Sequence, residues 1–442
     1  MKWTRSRTAT VLAVGAASAL LLSACSPSDD ETASPSPTPT ETGPKDPVTL
    51  TVAYWGEFGL DSLAAKYQEE NPHVTINLNQ GEFQAQHDAL QQAVINGSGA
   101  AEVSAIDEGF ISGFVAQADG FVNLLDLGAG KYQDNYLPWK WGQASNTDES
   151  VTIGLGTDIG GLALCYRTDL FGAAGIPTER SAIDAAIGDT WGGFNELGKQ
   201  YQAGSEDGKY WVDNAVNILI PAQTQLGNGY AWYNKNNELA MDDNRPAFEV
   251  ALKIITDGLS ANIAPWSPEW NEGFASGSFA TLACPAWMMG YIQGQAPDTA
   301  GAWDVADIPG PGGNWGGSFF TIPDQFDENT TQEAYNLIEW LIQADQQIQI
   351  FQEIGNLPSQ DILWDNPAIQ EFTNPFFSDA PVGQIFTKTA ADIPGPIYYA
   401  PKNNRVSTAV QGVLNEVQAG NIKPEDAWDE AIKAAQDADA AA

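Results

Sequence analysis

Apolar and polar residues alternate along residues 48–55, a pattern that predicts a β-strand. Leu50, Val52 and Tyr54 are apolar at every second position, as is typical of a strand with one buried face. A glycine-containing turn follows, and the apolar residues of 60–67 then recur at helical spacing. We therefore expect a strand, a turn and a helix in succession.

This succession repeats further along the chain. Strand patterns return at 74–78 and 101–106, and helical stripes follow them at 85–96 and 110–117. Strands that alternate with helices predict an α/β fold with a mostly parallel sheet. Because ligands of such sheets bind beyond the carboxyl ends of the strands, we expect a pocket at these strand-to-helix turns.

Aromatic and acidic side chains lie in the same turns. Trp55 and Glu57 follow the first strand, and Asp107 and Glu108 follow the strand at 101–106. An indole ring and carboxylates are suitable walls for a pocket. The alternative for the Asp107–Glu108 pair is that it caps the next helix, a position that aspartate favours.

Glycine-rich segments mark two further places of interest. Residues 156–161 contain Asp158 and precede an apolar strand, so we interpret them as a hinge where the backbone needs freedom. No Gly-Lys-Ser/Thr follows, which argues against a phosphate-binding loop. Trp315 lies among glycines in the loop 309–317, and an indole in such a loop is predicted to be a ligand platform.

Residues 210–290 are rich in aromatic side chains, and Trp270 and Trp287 are further ligand candidates there. Helical stripes at 246–259 and 406–417 predict two amphipathic helices in the second half of the chain.

Length and charge narrow the class of protein. A chain of 442 residues is too long for one small core and suggests two lobes. Its formal net charge of −38 argues against nucleic acid or an anionic membrane surface as a partner. Dispersed acidic residues are otherwise typical of a well-solvated surface. The two histidines show no zinc-ligand spacing and no nucleophile motif, so we expect no metal, cofactor or catalytic residue.

The N-terminus has the pattern of a secretory signal. A basic start and a short apolar run occupy residues 1–24, and Leu-Ser-Ala-Cys ends at Cys25. That ending resembles the bacterial lipobox, in which the cysteine is lipid-modified; the alternative is a cleaved signal before an ordinary cysteine. Residues 25–47 are rich in Pro, Ser, Thr and acids and predict a disordered tether. We expect a lipid-anchored protein on the extracellular face of the cell membrane.

Several stretches then resemble a known family, in the order that the family has them. They are LTVAYWGEFGLDSLAAKYQEENPHVTI, GLALCYRTDLFGAAGIP, the Thr190-Trp191 helix start, FASGSFATLACPAW, GGSFFTIP and EAYNLIEWLIQADQQIQIFQEIGNLPS. The resemblance extends over nearly all of residues 48–420. The sequence is similar to the sugar-binding, maltose-binding-protein-like family (family 1) of bacterial ABC-transporter extracellular solute-binding proteins.

The resemblance implies a type II periplasmic-binding-protein-like fold, with two interleaved α/β lobes joined by a hinge. Lobe one would comprise 49–157 and 306–356, and lobe two would comprise 158–305 and 357–442. A carbohydrate would be held in the cleft between the lobes by a protein that we expect to be a monomer, and would be delivered to a membrane permease.

The resemblance also implies roles for individual residues. Trp287 ends a motif whose Trp stacks on a sugar ring, although here 279–281 replace the usual small-Ala-Met. Trp315 matches a second stacking position. Glu57 and the pair Asp107–Glu108 fall near the ligands of sugar hydroxyl groups, and Asp158 lies at the first crossover. The basic residue that often follows the first-strand carboxylate is absent, which leaves the type of sugar open.

Cys165 and Cys284 would then lie in neighbouring strands of lobe two. We favour a disulfide between them because an extracellular chain can oxidise and the two strands should pair. The alternative is a pair of buried free thiols.

Two other functions remain open from the sequence. A polyamine or quaternary amine could be held by the same rings and acids as an aromatic cage. A secreted glycoside hydrolase would use two of the acids as catalytic groups, but no hydrolase signature is present.

Overall fold

The computed structural model describes residues 45–394 and 397–441. The predicted signal at 1–24, the lipidation site Cys25 and nearly all of the tether lie outside these residues. None of the helices in the described part is both long and apolar enough to cross a membrane.

The strands are short and are spread over the first four-fifths of the chain. They are β1 Val48–Trp55, β2 Val74–Gly81, β3 Val103–Asp107, β4 Gly154–Gly156, β5 Asp158–Ile159, β6 Leu162–Arg167, β7 Tyr210–Val212, β8 Phe279–Pro285, β9 Trp303–Ala306, β10 Ser318–Thr321 and β11 Leu357–Pro358.

Helices connect these strands and form the whole C-terminal part. They are α1 Leu60–Glu70, α2 Phe83–Asn96, α3 Glu108–Val115, α4 Pro138–Gln143, α5 Thr168–Ala174, α6 Arg180–Ile187, α7 Trp191–Gly204, α8 Val216–Thr224, α9 Met241–Thr256, α10 Pro268–Ser276, α11 Met288–Gln295, α12 Glu328–Leu341, α13 Ala344–Ile354, α14 Pro367–Gln370, α15 Val382–Ala391, α16 Asn403–Gln418 and α17 Ala427–Ala440.

The first sheet has five strands in the order β2-β1-β3-β10-β4. β1 pairs in parallel with both β2 and β3, as the strand–helix alternation predicts. The predicted alternation of β1 is confirmed, since Leu50, Val52 and Tyr54 are buried and the residues between them are partly exposed. Carboxyl ends of β1, β2 and β3 therefore lie at one edge of this sheet.

The second sheet has four strands in the order β7-β8-β6-β9. β6 is antiparallel to both β8 and β9, and β10 is antiparallel to its neighbours in the first sheet. The prediction of a mostly parallel sheet is therefore right for β1–β3 and for the β7–β8 pair, and wrong for the pairs that β10 and β6 form. The reason is connectivity: β10 and β6 are reached from the other sheet, so no strand–helix–strand unit fixes their direction.

The chain passes between the two sheets through a small structural element of its own. β5 follows β4 of the first sheet and precedes β6 of the second, and it pairs with β11. The pair is antiparallel, with Ile159 opposite Leu357. A further passage joins β9 of the second sheet to β10 of the first through residues 307–317.

A disulfide joins Cys165 on β6 to Cys284 on β8, with Cα atoms 5.5 Å apart. Both residues are fully buried in a core that also contains Trp270, Trp303 and Phe351. The bond crosslinks two strands of the second sheet and closes a long loop, since the residues are 119 positions apart.

Replacing both cysteines in Cys165→Ala/Cys284→Ala should lower the free energy of unfolding by about 2–5 kcal/mol, because the unfolded chain regains the entropy that the crosslink removes. Urea unfolding with and without dithiothreitol measures this. Reductant should destabilise the wild type and leave the double variant unchanged. Equal stability of the two proteins under oxidising conditions would contradict the prediction.

Candidate ligand-binding site

An aromatic cluster covers the carboxyl ends of β1–β3. We call Trp55, Phe83, His87 and Phe110 the edge cluster. The Trp55 ring centroid lies 5.2 Å from Phe83 and 4.6 Å from His87, and His87 stacks on Phe110 at 4.0 Å. Phe83 and His87 meet because they are four residues apart in the first turns of α2. Phe83 is 41% exposed, so the cluster presents an apolar face at this edge.

His87 joins the edge cluster to Asp107. Its Nδ1 lies 2.7 Å from the Phe83 carbonyl oxygen, and its Nε2 lies 3.0 Å from the backbone nitrogen of Asp107. Only a neutral ring with the proton on Nδ1 can donate to the first group and accept from the second. Burial lowers the pKa of His87 to about 4, which keeps that neutral form at physiological pH.

Asp107 is the N-cap of α3. Its Oδ1 accepts the Gly109 N–H at 2.8 Å, so the alternative of a capping role is confirmed. Burial raises the pKa of Asp107 to about 6, and the Gly109 N–H and the charge of Lys140 oppose that rise. The residue stays half-buried, which leaves it at the edge beside the aromatic rings.

Glu108, next in sequence, points into the protein and is only 3% exposed. Both carboxylate oxygens lie 2.8 Å from Asn314 Nδ2, and Oε1 also accepts the Gly316 N–H at 3.1 Å. Burial raises the pKa of Glu108, and the neighbouring Lys140 charge opposes the rise. The predicted direct contact of Glu108 with ligand is not supported, because donors of the protein itself occupy its oxygens.

Asp158 is likewise interior, at 5% exposure. Its Oδ1 accepts hydrogen bonds from the Thr157 hydroxyl at 2.7 Å and the Ser318 N–H at 3.0 Å. It therefore ties β5 to the start of β10, and most of its side chain lies inside the protein. Burial raises its pKa, and the charge of Lys140 opposes the rise.

Lys140 on α4 is the buried cation among these acids. Its side chain is fully buried, and Nζ lies 3.9 Å from the centroid of the Phe319 ring. Nζ has no hydrogen-bond partner within the described residues. Burial lowers the pKa of Lys140, while the charges of Glu108, Asp158 and Asp107 oppose the fall.

A row of indole rings lies on the other side of Glu108. We call Trp266, Trp287 and Trp315 the indole row. The Trp287 centroid lies 5.9 Å from that of Trp315 and 6.2 Å from that of Trp266, to which it is nearly parallel at 22°. Nε1 of Trp287 also donates to the Trp315 carbonyl oxygen at 2.9 Å. The structure thus brings together the two Trp residues that the sequence singled out for stacking.

The sequence did not single out Trp266, which the structure shows to be 52% exposed. It has a positive φ of 66°, which is uncommon for a bulky residue and is found where surrounding structure holds a side chain in place. Its neighbour Trp270 corrects an expectation. Trp270 is fully buried and donates through Nε1 to Asp213 at 2.6 Å, so it supports Trp266 from the core and is not a ligand platform.

The remaining predicted residues lie at the edge. Trp55 is half-buried within the edge cluster, and Glu57 is exposed in the turn after β1. The Glu57 carbonyl oxygen accepts a hydrogen bond from Asn356 Nδ2 at 3.1 Å, which ties this turn to the segment before β11. Phe83, His87 and Phe110 were also missed, because single aromatic residues in helices are usually core.

Contacts connect the edge cluster to the indole row. They run from Trp55 through His87 to Asp107, and from Glu108 through Gly316 to Trp315. In the described part of the chain, no group of three or more His, Cys, Asp or Glu residues is arranged to hold a metal ion. The arrangement offers flat apolar rings and a half-buried carboxylate, which suits a small solute with both apolar faces and hydroxyl groups.

Known proteins resemble this chain in sequence. A family model described as bacterial extracellular solute-binding protein matches residues 62–373. The arabinooligosaccharide-binding protein of Halalkalibacterium halodurans is 23% identical over 328 residues, which are 70% of each chain.

Two solved structures are similar over nearly the whole molecule. A crystal structure of an extracellular solute-binding protein of family 1 has a TM-score of 0.78 and 33% identity, and covers 89% of this chain and 100% of its own. The ABC transporter-associated binding protein of B. animalis subsp. lactis, in complex with β-1,6-galactobiose, has a TM-score of 0.75 and 21% identity, and covers 89% of this chain and 97% of its own.

The buried His87 predicts a loss of stability in mild acid. The folded state keeps the ring neutral down to about pH 4, whereas the unfolded chain takes up the proton near pH 6.5, so folding is disfavoured as pH falls between these values. Relative to a His87→Gln variant, the wild type should lose about 2 kcal/mol of unfolding free energy between pH 7 and pH 5. Denaturant titrations at both pH values measure this, and parallel losses in the two proteins would contradict it.

Proposed function

The chain belongs to the bacterial extracellular solute-binding proteins and has their two-lobed α/β fold, and from that premise we propose that its solute is a sugar or oligosaccharide. The observation that carries the proposal is the indole row, in which the Trp287 ring lies beside both Trp266 and Trp315 near the carboxyl edge of the first sheet. The protein would then deliver the bound sugar to the permease of an ABC transporter.

Carbohydrate chemistry fits these surfaces. The C–H faces of a pyranose pack on aromatic rings, and carboxylate or amide oxygens accept hydrogen bonds from its hydroxyl groups. Asp107 and Glu57 are the acids that remain accessible for such bonds. Micromolar affinity corresponds to about 8 kcal/mol, which a few ring contacts and charge-assisted hydrogen bonds can supply. The arabinooligosaccharide-binding relative and the galactobiose complex support the same ligand class.

A cationic solute fits less well, although the net charge of −38 favours it. An aromatic cage needs anionic groups that face the ligand. Of the acids near the rings, Glu108 and Asp158 are buried, accept N–H groups of the protein and share the charge of Lys140. This leaves Asp107 and Glu57 to face a cation. Exposed acidic residues elsewhere serve solubility.

We also propose that the chain is not an enzyme. A glycoside hydrolase needs two carboxyl groups on either side of the scissile bond. Beside the indole row, Glu108 and Asp158 are buried and accept hydrogen bonds from the protein itself, which argues against that role for either. We therefore expect the protein not to hydrolyse chromogenic glycosides.

Lobe boundaries are proposed at 49–157 with 306–356, and at 158–305 with 357–442. The pairing of β5 with β11 supports them, because both strands begin where the chain would change lobe. Tyr399, in the proposed lobe two, lies 3.4 Å from Glu108 in lobe one. Contacts of this kind between the lobes would belong to a closed arrangement. A bound ligand would favour that arrangement, and the permease would recognise it.

Attachment to the membrane is part of the proposal. Cys25 would be lipidated after removal of residues 1–24, and the tether would hold a monomeric binding protein outside the cell. The family supports an extracellular location; the anchor itself rests on the lipobox-like sequence.

Sugars should stabilise the protein and amines should not. Thermal-shift assays of the chain from residue 46 onward, with arabino-oligosaccharides, β-1,6-galactobiose and maltose against spermidine and glycine betaine, distinguish the two ligand classes. Mass action raises the unfolding temperature for any ligand that binds the native state alone. Stabilisation by the amines alone would overturn the sugar proposal.

Each of the substitutions Trp266→Ala, Trp287→Ala and Trp315→Ala should weaken binding of the stabilising sugar more than tenfold, or about 1.4 kcal/mol, through loss of a stacking surface. Calorimetric titration measures the affinity, and circular dichroism verifies the fold. Trp340→Ala is the matched control, since this half-buried indole bonds to Glu70 away from the site. Unchanged affinity in all three site variants would refute the assignment.

A further inference from the structure

The shortest hydrogen bonds of the Glu108 carboxylate come from one segment, residues 314–316, about two hundred positions further along the chain. Asn314 Nδ2 donates to both of its oxygens and the Gly316 N–H to Oε1. Gln143 and Tyr399 lie at 3.4 Å from Oε2 and Oε1. A carboxylate has about four acceptor positions, so these donors use its capacity within the protein.

The segment that Glu108 holds is the one that carries Trp315. Asn314 Oδ1 accepts the Gly160 N–H at 2.9 Å, and the Trp315 N–H donates to the Gly160 carbonyl oxygen at 2.9 Å. A Cβ atom at Gly160 would lie 1.8 Å from the Trp315 carbonyl oxygen. The backbone of Trp315 is therefore seated between Gly160 and the groups bonded to Glu108.

The orientation of the indole row follows from this seat. The Trp315 carbonyl oxygen accepts the Nε1–H of Trp287, whose ring in turn lies beside Trp266. A change at Glu108 would pass through Asn314 and Gly316 to the backbone of Trp315, and so to the rings. Every step is a direct contact.

We propose that Glu108 is a positioning residue for ligand binding: it clamps Asn314 and Gly316 and thereby sets the place of Trp315, without touching the ligand. We call these hydrogen bonds the Glu108–Asn314 clamp. Its link to affinity rests on the proposed sugar-binding function, whereas its effect on the rings can be measured without any ligand.

The clamp has a polarity that substitution can break and restore. Glu108→Gln places an amide against the amide of Asn314, so one donor loses its acceptor. Adding Asn314→Asp supplies a carboxylate for the new amide and keeps the oxygen that accepts the Gly160 N–H. The double variant E108Q/N314D therefore re-forms the bond between the two side chains in reverse, whereas the bond from Asn314 Nδ2 to the Gly316 carbonyl oxygen, 3.0 Å in the wild type, is lost.

Fluorine NMR of protein labelled with 5-fluorotryptophan reads the rings directly, and a Trp315→Phe variant assigns the Trp315 resonance. In E108Q the Trp315 and Trp287 resonances should shift or broaden, and in E108Q/N314D they should return towards the wild-type positions. Glu102→Gln is the matched control. The Glu102 carboxylate accepts the Thr51 N–H of β1 at 2.7 Å, in the first sheet and away from the clamp. Should E108Q not fold, Asn314→Ser, which removes the same amide donor, takes its place.

Affinity for β-1,6-galactobiose or an arabino-oligosaccharide is measured on the same proteins. It should fall at least tenfold in E108Q and recover in E108Q/N314D, while E102Q binds as the wild type. Unmoved resonances in E108Q would overturn the clamp, and displaced resonances with unchanged affinity would overturn its role in binding. A third outcome separates the two proposals. If the resonances are displaced in E108Q and restored in E108Q/N314D but the wild-type protein binds no sugar, the clamp is upheld and the proposed function is refuted.

Discussion

Two buried carboxylates hold together the segments through which the chain passes between its sheets. Glu108 accepts N–H groups of Asn314 and Gly316, and Asp158 accepts the N–H of Ser318. Backbone N–H groups in such irregular segments have no strand partner and must be satisfied when buried. The carboxylates meet this need, so the geometry of the crossovers depends on them.

The electrostatic balance around these carboxylates limits how the site can vary. Burying an ion is costly unless it is paired and hydrogen-bonded. Lys140 supplies positive charge from α4 and rests against the ring of Phe319. Gly317 leaves it room, since a Cβ atom there would lie 3.0 Å from Nζ. Lys140 lies against both the Phe319 ring and Gly317, so a substitution at either position would disturb it.

Local patterns predicted the elements well wherever one face is buried. β1 and β6 lie where alternation and apolar runs placed them. Asp107 showed both of its proposed features, since it caps α3 and lies at the carboxyl edge of the first sheet. Trp270 was misplaced because an aromatic residue in a helix has the same local pattern whether its ring faces core or ligand.

The amino-acid sequence by itself determined the α/β class, the strand–helix order of the first lobe and the family likeness, since these follow from periodicity and ordered motifs, and the likeness in turn singled out Trp287 and Trp315. Only the tertiary structure decided that Trp266 is exposed while Trp270 is buried, and that Glu108 bonds inward while Asp107 stays at the edge. The physical reason is that burial and hydrogen bonding join residues about two hundred positions apart, and no local pattern encodes which of two neighbouring side chains will meet such a partner.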